Sequence, residues 1–125
     1  MTEQTTHISG KRVVLVISQE DERQALAHIL QGMSLDVKDV STGATALQLL
    51  EDYPVDLLIM DIKPADMHGW QLLSKVNEIA DLRQLPIIVI TDRGNVQFAG
   101  KPIILLLRPL SIAKLKQNVL ETLDN

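Results

Sequence analysis

The chain has 125 residues, no cysteine and a formal net charge of -4. This length suits one domain with one hydrophobic core. The absence of cysteine excludes disulfide bonds and thiolate metal sites, and the negative charge argues against nucleic acid, whose phosphates require clustered Lys and Arg. No apolar run approaches the roughly 18 residues of a membrane span. We therefore expect a cytoplasmic domain over residues 11–125, with no membrane contact, after a flexible tail over residues 1–10.

The first half of the chain alternates strand and helix patterns. Val13–Ile17 is short and uniformly apolar, which is typical of a strand buried on both faces. A helix with an acidic first turn follows, and Gly32 can end it. Leu35–Val40 alternates apolar and charged residues, which indicates an edge strand. Ser41 or Thr42 can then cap a second helix.

The second half continues this alternation with one gap. Val55–Met60 and Pro86–Ile90 have the pattern of buried strands, and a helix between them begins at about Gly69. Ile103–Leu107 is the fifth strand, and Ser111 can cap a last helix. A full helix is not expected before the fifth strand, because the preceding segment contains two Gly and a Pro and lacks an apolar stripe. Repeated strand, helix and strand units predict an α/β fold with a parallel sheet covered on both faces.

Candidate site residues follow from this fold class. In open parallel sheets, binding and catalytic groups collect just beyond the carboxyl ends of the strands. The polar residues at those ends are Ser18, Gln19, Ser41, Asp61, Thr91, Asp92 and Arg108.

Motifs around these positions resemble the receiver domains of two-component response regulators. The matching segments are Val55–Ile62, Met67-His68-Gly69, Thr42–Leu47, Leu85–Thr91 and Arg108-Pro109. The resemblance implies that Asp61 is the phosphoacceptor, that Thr91 is the switch residue and that Arg108 replaces a Lys. It also implies a CheY-like, flavodoxin-like five-stranded parallel sheet in the order 2-1-3-4-5, with helices on both faces, and a cis Arg108-Pro109 bond. The segment before the fifth strand departs from the family, and we expect the fourth helix to be shortened or absent.

The sequence departs from the family where metal and phosphate would bind. Ser18 and Gln19 occupy the places of an adjacent acidic pair, unless the strand end slips so that Glu20 and Asp21 take them. The planar fork of Arg differs from the compact ammonium of Lys. Lys63 can add a second positive charge beside the phosphoacceptor position.

These departures predict an impaired phosphate switch. Mg²⁺ usually requires more than one carboxylate in such a site, so we expect its binding to be weak or absent and expect no other cofactor. Asp61 should pair with Arg108 and Lys63, with Glu20 as another neighbour of the pocket. Leu105 also replaces the aromatic residue that moves with the switch Thr in the family.

Three functions are consistent with this pattern. The favoured hypothesis is an atypical, non-enzymatic receiver that acts as a phosphorylation-independent interaction or dimerisation module. The alternative is a functional receiver that takes phosphate on Asp61 from a histidine kinase or phosphotransfer protein. A small hydrolase using Asp61 and His68 has little support, because no nucleophile and base stand at adjacent strand ends.

The fifth strand predicts a protein partner. The fold places this strand at a sheet edge, yet it is apolar on both faces, and natural edges are normally covered. We expect a homodimer, or another protein such as the kinase, phosphotransfer protein or an attached output domain, on the side of the fourth helix, fifth strand and last helix. Phe98, Leu105 and Leu106 are the interface candidates. Alternatively, the loop over residues 92–101 covers the strand.

Overall fold

The computed structural model describes residues 8–61, 66–79, 82, 84–92 and 103–124. These residues form five strands and four helices: β1 (Arg12–Val16), α1 (Glu20–Gln31), β2 (Asp36–Val40), α2 (Gly43–Asp52), β3 (Leu57–Asp61), α3 (Gly69–Glu78), β4 (Ile87–Thr91), β5 (Ile104–Leu107) and α4 (Ile112–Leu123). The strands build one parallel sheet in the order β2-β1-β3-β4-β5. The predicted fold class is confirmed.

The sheet divides the hydrophobic core into two layers. Successive side chains of a strand point to opposite faces, so Leu15 and Ile59 enter the layer that contains α1 and α4. Val14 and Met60 enter the other layer, which contains α2 and α3. The three inner strands are therefore apolar except at one end of each, where Arg12, Asp61 and Thr91 stand, whereas β2 keeps charged residues on the surface of its edge position.

Polar side chains fix where three helices begin. Gln19, Thr42 and Ser111 each accept a hydrogen bond from a backbone N–H in the first turn, which satisfies a donor that has no partner within the helix. Gly32 ends α1 as predicted, but its φ of -64° is ordinary right-handed backbone. Ser34 instead adopts the left-handed conformation, with φ of 67°. The Arg108-Pro109 bond is cis, as expected.

The packed part of the chain includes the end of the segment that the sequence assigned to a tail. Ile8 is fully buried in the layer beneath α1 and α4. The N–H of Gly10 donates to the Ser34 carbonyl at 2.8 Å, which holds the chain beside the turn after α1. Residues 1–7 lie outside the described part of the chain, as do residues 93–102, where the shortened fourth helix was expected.

Within the described residues, no helix is long and apolar enough to cross a membrane.

Candidate functional site

Three candidate residues meet at the carboxyl edge of the sheet. Asp61 ends β3, Thr91 ends β4, and Arg108 directly follows β5. Because these strands are parallel neighbours, their ends lie side by side. Asp61 and Thr91 are buried, with 8% and 2% of their surfaces exposed. The backbone N–H of Arg108 donates to the Thr91 carbonyl at 2.9 Å, which fixes the start of the arginine side chain.

Arg108 contacts carboxylates from α1, from β3 and from the residue that follows β4. Its Nη2 donates to Glu22 Oε1 at 2.7 Å and to Asp61 Oδ2 at 3.1 Å, while its Nε donates to Glu22 Oε2 at 3.0 Å. Its Nη1 lies 3.5 Å from Asp92 Oδ1. The predicted ion pair between Asp61 and Arg108 is present. The closest partner is nevertheless Glu22, which is held in the two-point geometry that suits a planar guanidinium.

Partial burial strengthens this network. The side chains of Arg108, Glu22 and Asp61 are only 23%, 26% and 12% exposed. Hydrogen bonding to Glu22 raises the pKa of Arg108 above its ordinary value, burial opposes that rise, and the negative charge of Asp61 adds to it. The guanidinium therefore remains cationic at any pH at which the protein is folded.

Ser18 and Gln19 lie between β1 and α1, where the resemblance placed the altered acidic pair. Gln19 caps the helix: its Oε1 accepts from the N–H of Glu22 at 2.9 Å. Its carbonyl accepts from the N–H of Arg23, also at 2.9 Å. The Gln19 side chain is thus engaged in the helix start and adds no negative charge to the site.

The Glu20 carboxylate forms a hydrogen bond within α1, and the expectation that Glu20 neighbours the pocket stays a prediction. β1 ends at Val16 and α1 begins at Glu20, so the strand end does not slip to place Glu20 and Asp21 in the acidic-pair positions. Glu20 is exposed, and its carboxylate accepts from Gln24 Nε2 at 3.1 Å. Helix residues two positions apart are rotated by about 200°, so Glu20 and Glu22 project from different faces of α1.

Glu22 is the site residue that sequence reasoning missed. It precedes the buried Leu26 and Leu30 by four and eight residues, so all three share one face of α1. In the sequence, a carboxylate that continues the apolar stripe of this helix was the signal that could have identified Glu22 as a site residue. An acid on a core-facing stripe requires a cationic partner, which here is Arg108.

Arg23 links the same helix to two strand ends. Its Nη1 donates to the Ile17 carbonyl at 3.0 Å, and its Nε donates to Asp39 Oδ2 at 3.3 Å. Its side chain is only 16% exposed. Arg23 and Glu22 therefore hold α1 against opposite sides of the sheet centre.

The loop after β3 is attached to the start of α2. Asp66 accepts from the N–H groups of Gly43 at 2.7 Å and Ala44 at 3.1 Å. The bond from Gly43 is the main cause that lowers the pKa of the exposed Asp66 carboxyl. Met67 packs so closely on Gly43 that a Cβ there would lie 2.6 Å from its Sδ. Two helix-terminal donors and one close contact thus position this loop.

The remaining candidates divide between described and undescribed parts of the chain. Lys63 and Phe98 lie outside the described residues. Leu105 is half-buried and Leu106 is buried in the two opposite core layers. Leu107, with 51% of its surface exposed, is the apolar residue that β5 presents to solvent.

The charge balance of the site differs from the sequence-based expectation. That expectation counted one carboxylate, whereas Glu22 and Asp92 join Asp61 around Arg108. Among the described residues, no group of three or more potential ligands is arranged to hold a metal ion. The guanidinium lies between the carboxylates instead. Weak Mg²⁺ binding stays a prediction, and its basis is now this occupation of the carboxylates by Arg108.

The comparison with protein families assigns the class of this fold and site. Residues 13–105 match the response regulator receiver domain, and the chain belongs to that family. Receivers of two-component signalling are generally non-enzymatic modules that work with histidine kinases or phosphotransfer proteins and with output domains.

Two curated relatives illustrate the contexts of similar chains. The two-component response regulator ORR11 of rice, Oryza sativa subsp. indica, is 29% identical over 86% of this chain and 80% of its own length. A protein named probable cyclic di-GMP phosphodiesterase, from Vibrio cholerae, is 26% identical over 85% of this chain. The chain spans only 26% of that protein's length, so the phosphodiesterase name applies to a much longer molecule.

Solved structures agree on the fold. The receiver domain of sensor histidine kinase PA1611 from Pseudomonas aeruginosa, described with a magnesium ion in its active-site cleft, aligns with a TM-score of 0.83 at 20% identity, over 94% of this chain and 100% of that one. The chemotaxis regulator CheY4 of V. cholerae aligns with a TM-score of 0.82 at 20% identity, over 91% of this chain and 99% of that one.

Proposed function

We propose that this chain is an atypical receiver that acts in two-component signalling as a phosphorylation-independent interaction module. The observation that carries the proposal is the engagement of Arg108 by Glu22 and Asp61. The positive charge of Arg108, next to the phosphoacceptor position, is already neutralised by carboxylates of the same chain. Signalling would then depend on which protein this domain contacts and not on the occupancy of Asp61.

The chemistry of phosphoryl transfer supports this reading. A carboxylate that attacks phosphorus needs cations to offset the charge of the phosphoryl oxygens, and Mg²⁺ normally supplies much of it. Here Ser18 and Gln19 offer neutral oxygens only. For Arg108 to bind a phosphoryl group on Asp61, it would have to give up hydrogen bonds to Glu22, each worth about 1.5–3 kcal/mol between charged groups.

The exposed apolar residues at one edge support a protein partner on that side. Leu107 of β5 and Ile112 of α4 are 51% and 42% exposed. We propose a homodimer through this side. Sedimentation equilibrium should show wild-type dimers and monomeric Leu107→Lys. Leu106 is unsuitable for the test because it is buried, and a wild-type chain that remains monomeric would contradict the homodimer.

Intact-mass measurement after incubation with acetyl phosphate and Mg²⁺ tests phosphate independence. We expect no phosphoryl adduct on the wild-type chain. A triple variant, Ser18→Asp, Gln19→Asp and Arg108→Lys, restores the family's acidic pair and Lys and should become modified. Adding Asp61→Asn to that variant should abolish the adduct. Modification of the wild-type chain that is lost in Asp61→Asn would overturn the proposal.

The second candidate function is that of a working phosphoacceptor. It is favoured by the position of Asp61 at the end of β3 beside the buried end of β4 at Thr91. In that case an Asp61 oxygen attacks the phosphorus of a phosphohistidine, the P–N bond breaks and the imidazole leaves. Transfer of radiolabelled phosphate from a phosphotransfer protein to the wild-type chain would favour this function.

A further inference from the structure

A groove opens at the amino edge of the sheet, opposite the Arg108 site. It lies between the start of β1, the edge strand β2 and the end of α2, and its volume is about 150 Å³. Apolar side chains of Val14, Leu49 and Val55 line it. Tyr53 stands beside them with 47% of its surface exposed, although it is large and aromatic.

Two cations border this apolar surface. The Nζ atom of Lys38 lies over the Tyr53 ring, 5.4 Å from its centre. Among the ion pairs of the described residues, none involves Lys38. Arg12 is 3.8 Å from Asp36 in a pair whose two side chains are about half exposed, at 48% and 52%. Asp36 also lines the groove, so the lining carries two cations and one carboxylate. The exposed Lys38, which lies outside these ion pairs, supplies the accessible positive charge beside the apolar floor.

The size of the groove selects the kind of occupant. Pockets for cofactors and drug-sized molecules usually have volumes of about 300–1,000 Å³. A volume of about 150 Å³ is closer to the volume of one large apolar side chain. Protein interfaces commonly centre on one anchor residue inserted into such a pocket, with Tyr and Arg prominent among the contributing residues. The cations at the edge of the groove, Lys38 and Arg12, favour an anchor residue that has acidic residues next to it in the partner's sequence.

We propose that this groove binds an acidic segment of a partner protein, with one aromatic side chain inserted against Val14, Leu49 and Val55 and flanking carboxylates paired with Lys38 and Arg12. The site is separate from Asp61 and does not depend on whether that residue accepts phosphate. The exposed Lys38 side chain places Nζ over the face of the Tyr53 ring, and an ammonium in this position keeps N–H donors available to a carboxylate.

Titration of the chain with three short peptides tests this site by backbone NMR. The acidic probe is acetyl-Asp-Glu-Phe-Asp-Glu-amide. The neutral control replaces its acids by Asn and Gln, and the anchor control replaces Phe by Ala. We expect saturable shifts at Leu49, Tyr53 and Val55 with the acidic probe, and affinities weaker by about fivefold or more for both controls, as loss of charge complementarity or of an anchor implies.

Variants of the exposed rim assign the binding to the groove. Lys38→Gln and Tyr53→Ala should each weaken the affinity for the acidic probe by about fivefold or more. Lys75 is an exposed Lys on α3, and Lys75→Gln should leave this affinity unchanged. Thermal unfolding of each variant verifies that it remains folded. Equal binding of the neutral peptide, shifts outside the groove, or no shifts with the acidic probe would overturn the proposal.

Discussion

The two ends of the sheet use similar charged residues in opposite ways. At the carboxyl end, Arg108 contacts Glu22 at 2.7 Å with both side chains about three-quarters buried. At the amino end, Arg12 lies 3.8 Å from Asp36 and both side chains are about half exposed. A partly buried ion pair stabilises the fold only when its charged groups are well hydrogen-bonded, and an exposed ion pair contributes little to stability. The carboxyl end is therefore fixed from within, while the amino end keeps its cations accessible.

This difference also separates what each end can do. A cation committed to two carboxylates cannot readily respond to a new anion, whereas an exposed cation loses little hydration on meeting one. In a family whose members are expected to respond at the carboxyl end, this chain has its more available charges at the amino end. The following substitutions compare the two ends directly.

Arg108→Met should have the largest effect. It removes the guanidinium from the partly buried Glu22 and Asp61, so the free energy of unfolding should fall by about 2 kcal/mol, below the loss for a fully buried pair. Arg12→Met, the matched change at the amino end, should cost less than about 0.5 kcal/mol. Urea denaturation at pH 7 measures both. Equal losses would remove the distinction between the two ends.

Glu22→Gln should cost about 1 kcal/mol, because it keeps the shape of the side chain but removes its charge from the hydrogen bonds to Arg108. Asp36→Asn is the control at the exposed pair and should be nearly neutral. The sign should reverse when Glu22→Gln is added to Arg108→Met, since it then removes an unpaired negative charge. A double-mutant cycle measures this coupling, and additive effects would show that Glu22 and Arg108 act independently.

Gly43→Ala should destabilise by about 1 kcal/mol, because the new methyl group meets the Met67 side chain at the carboxyl end. Gly32→Ala makes the same change at the amino end, where φ is -64°, and should stay within about 0.5 kcal/mol of wild type. Combining Gly43→Ala with Met67→Ala should relieve the contact. Thermal unfolding of these three variants and of Met67→Ala alone is the measurement, and no relief would contradict the packing explanation.

Asp66→Asn should have the smallest effect, about 0.5 kcal/mol at pH 7, since it weakens an exposed anion at the start of α2. Folding lowers the pKa of Asp66 below its ordinary 3.8. Its contribution is therefore fully present above pH 3.8 and is lost as pH falls through the lower folded value.

The free energy of unfolding of wild type and of Asp66→Asn is compared between pH 7 and pH 2. The difference between the two isolates the contribution of the Asp66 carboxylate from those of the other carboxyl groups. The two stability curves should converge at low pH. Asp52→Asn, at the other end of α2, should not destabilise, because an anion there opposes the helix dipole. Parallel curves for Asp66→Asn would exclude a role for its charge.

Hydrophobic periodicity and strand-end residues were sufficient to predict the architecture. Short apolar runs fix buried strands, since each such strand must be covered on both faces. Gln19, however, was read only as a lost acid, although it caps α1. A Gln at this position is consistent both with the loss of an acidic residue and with a helix cap. Only the observed ends of β1 and α1 show that it caps the helix. The roles of Lys63, Phe98 and the segment between β4 and β5 stay predictions.

The sequence by itself determined the order of elements, the edge position of β2 and the presence of Asp61, Thr91 and Arg108 at strand ends, while the resemblance to receivers supplied the strand order that makes those ends neighbours. These features depend on local period and on connection rules, which act over a few residues. Only the tertiary structure decided that Glu22 and not Glu20 reaches Arg108, across 86 residues of chain. That choice depends on how α1 is rotated on the sheet, which the packing of the whole core layer sets.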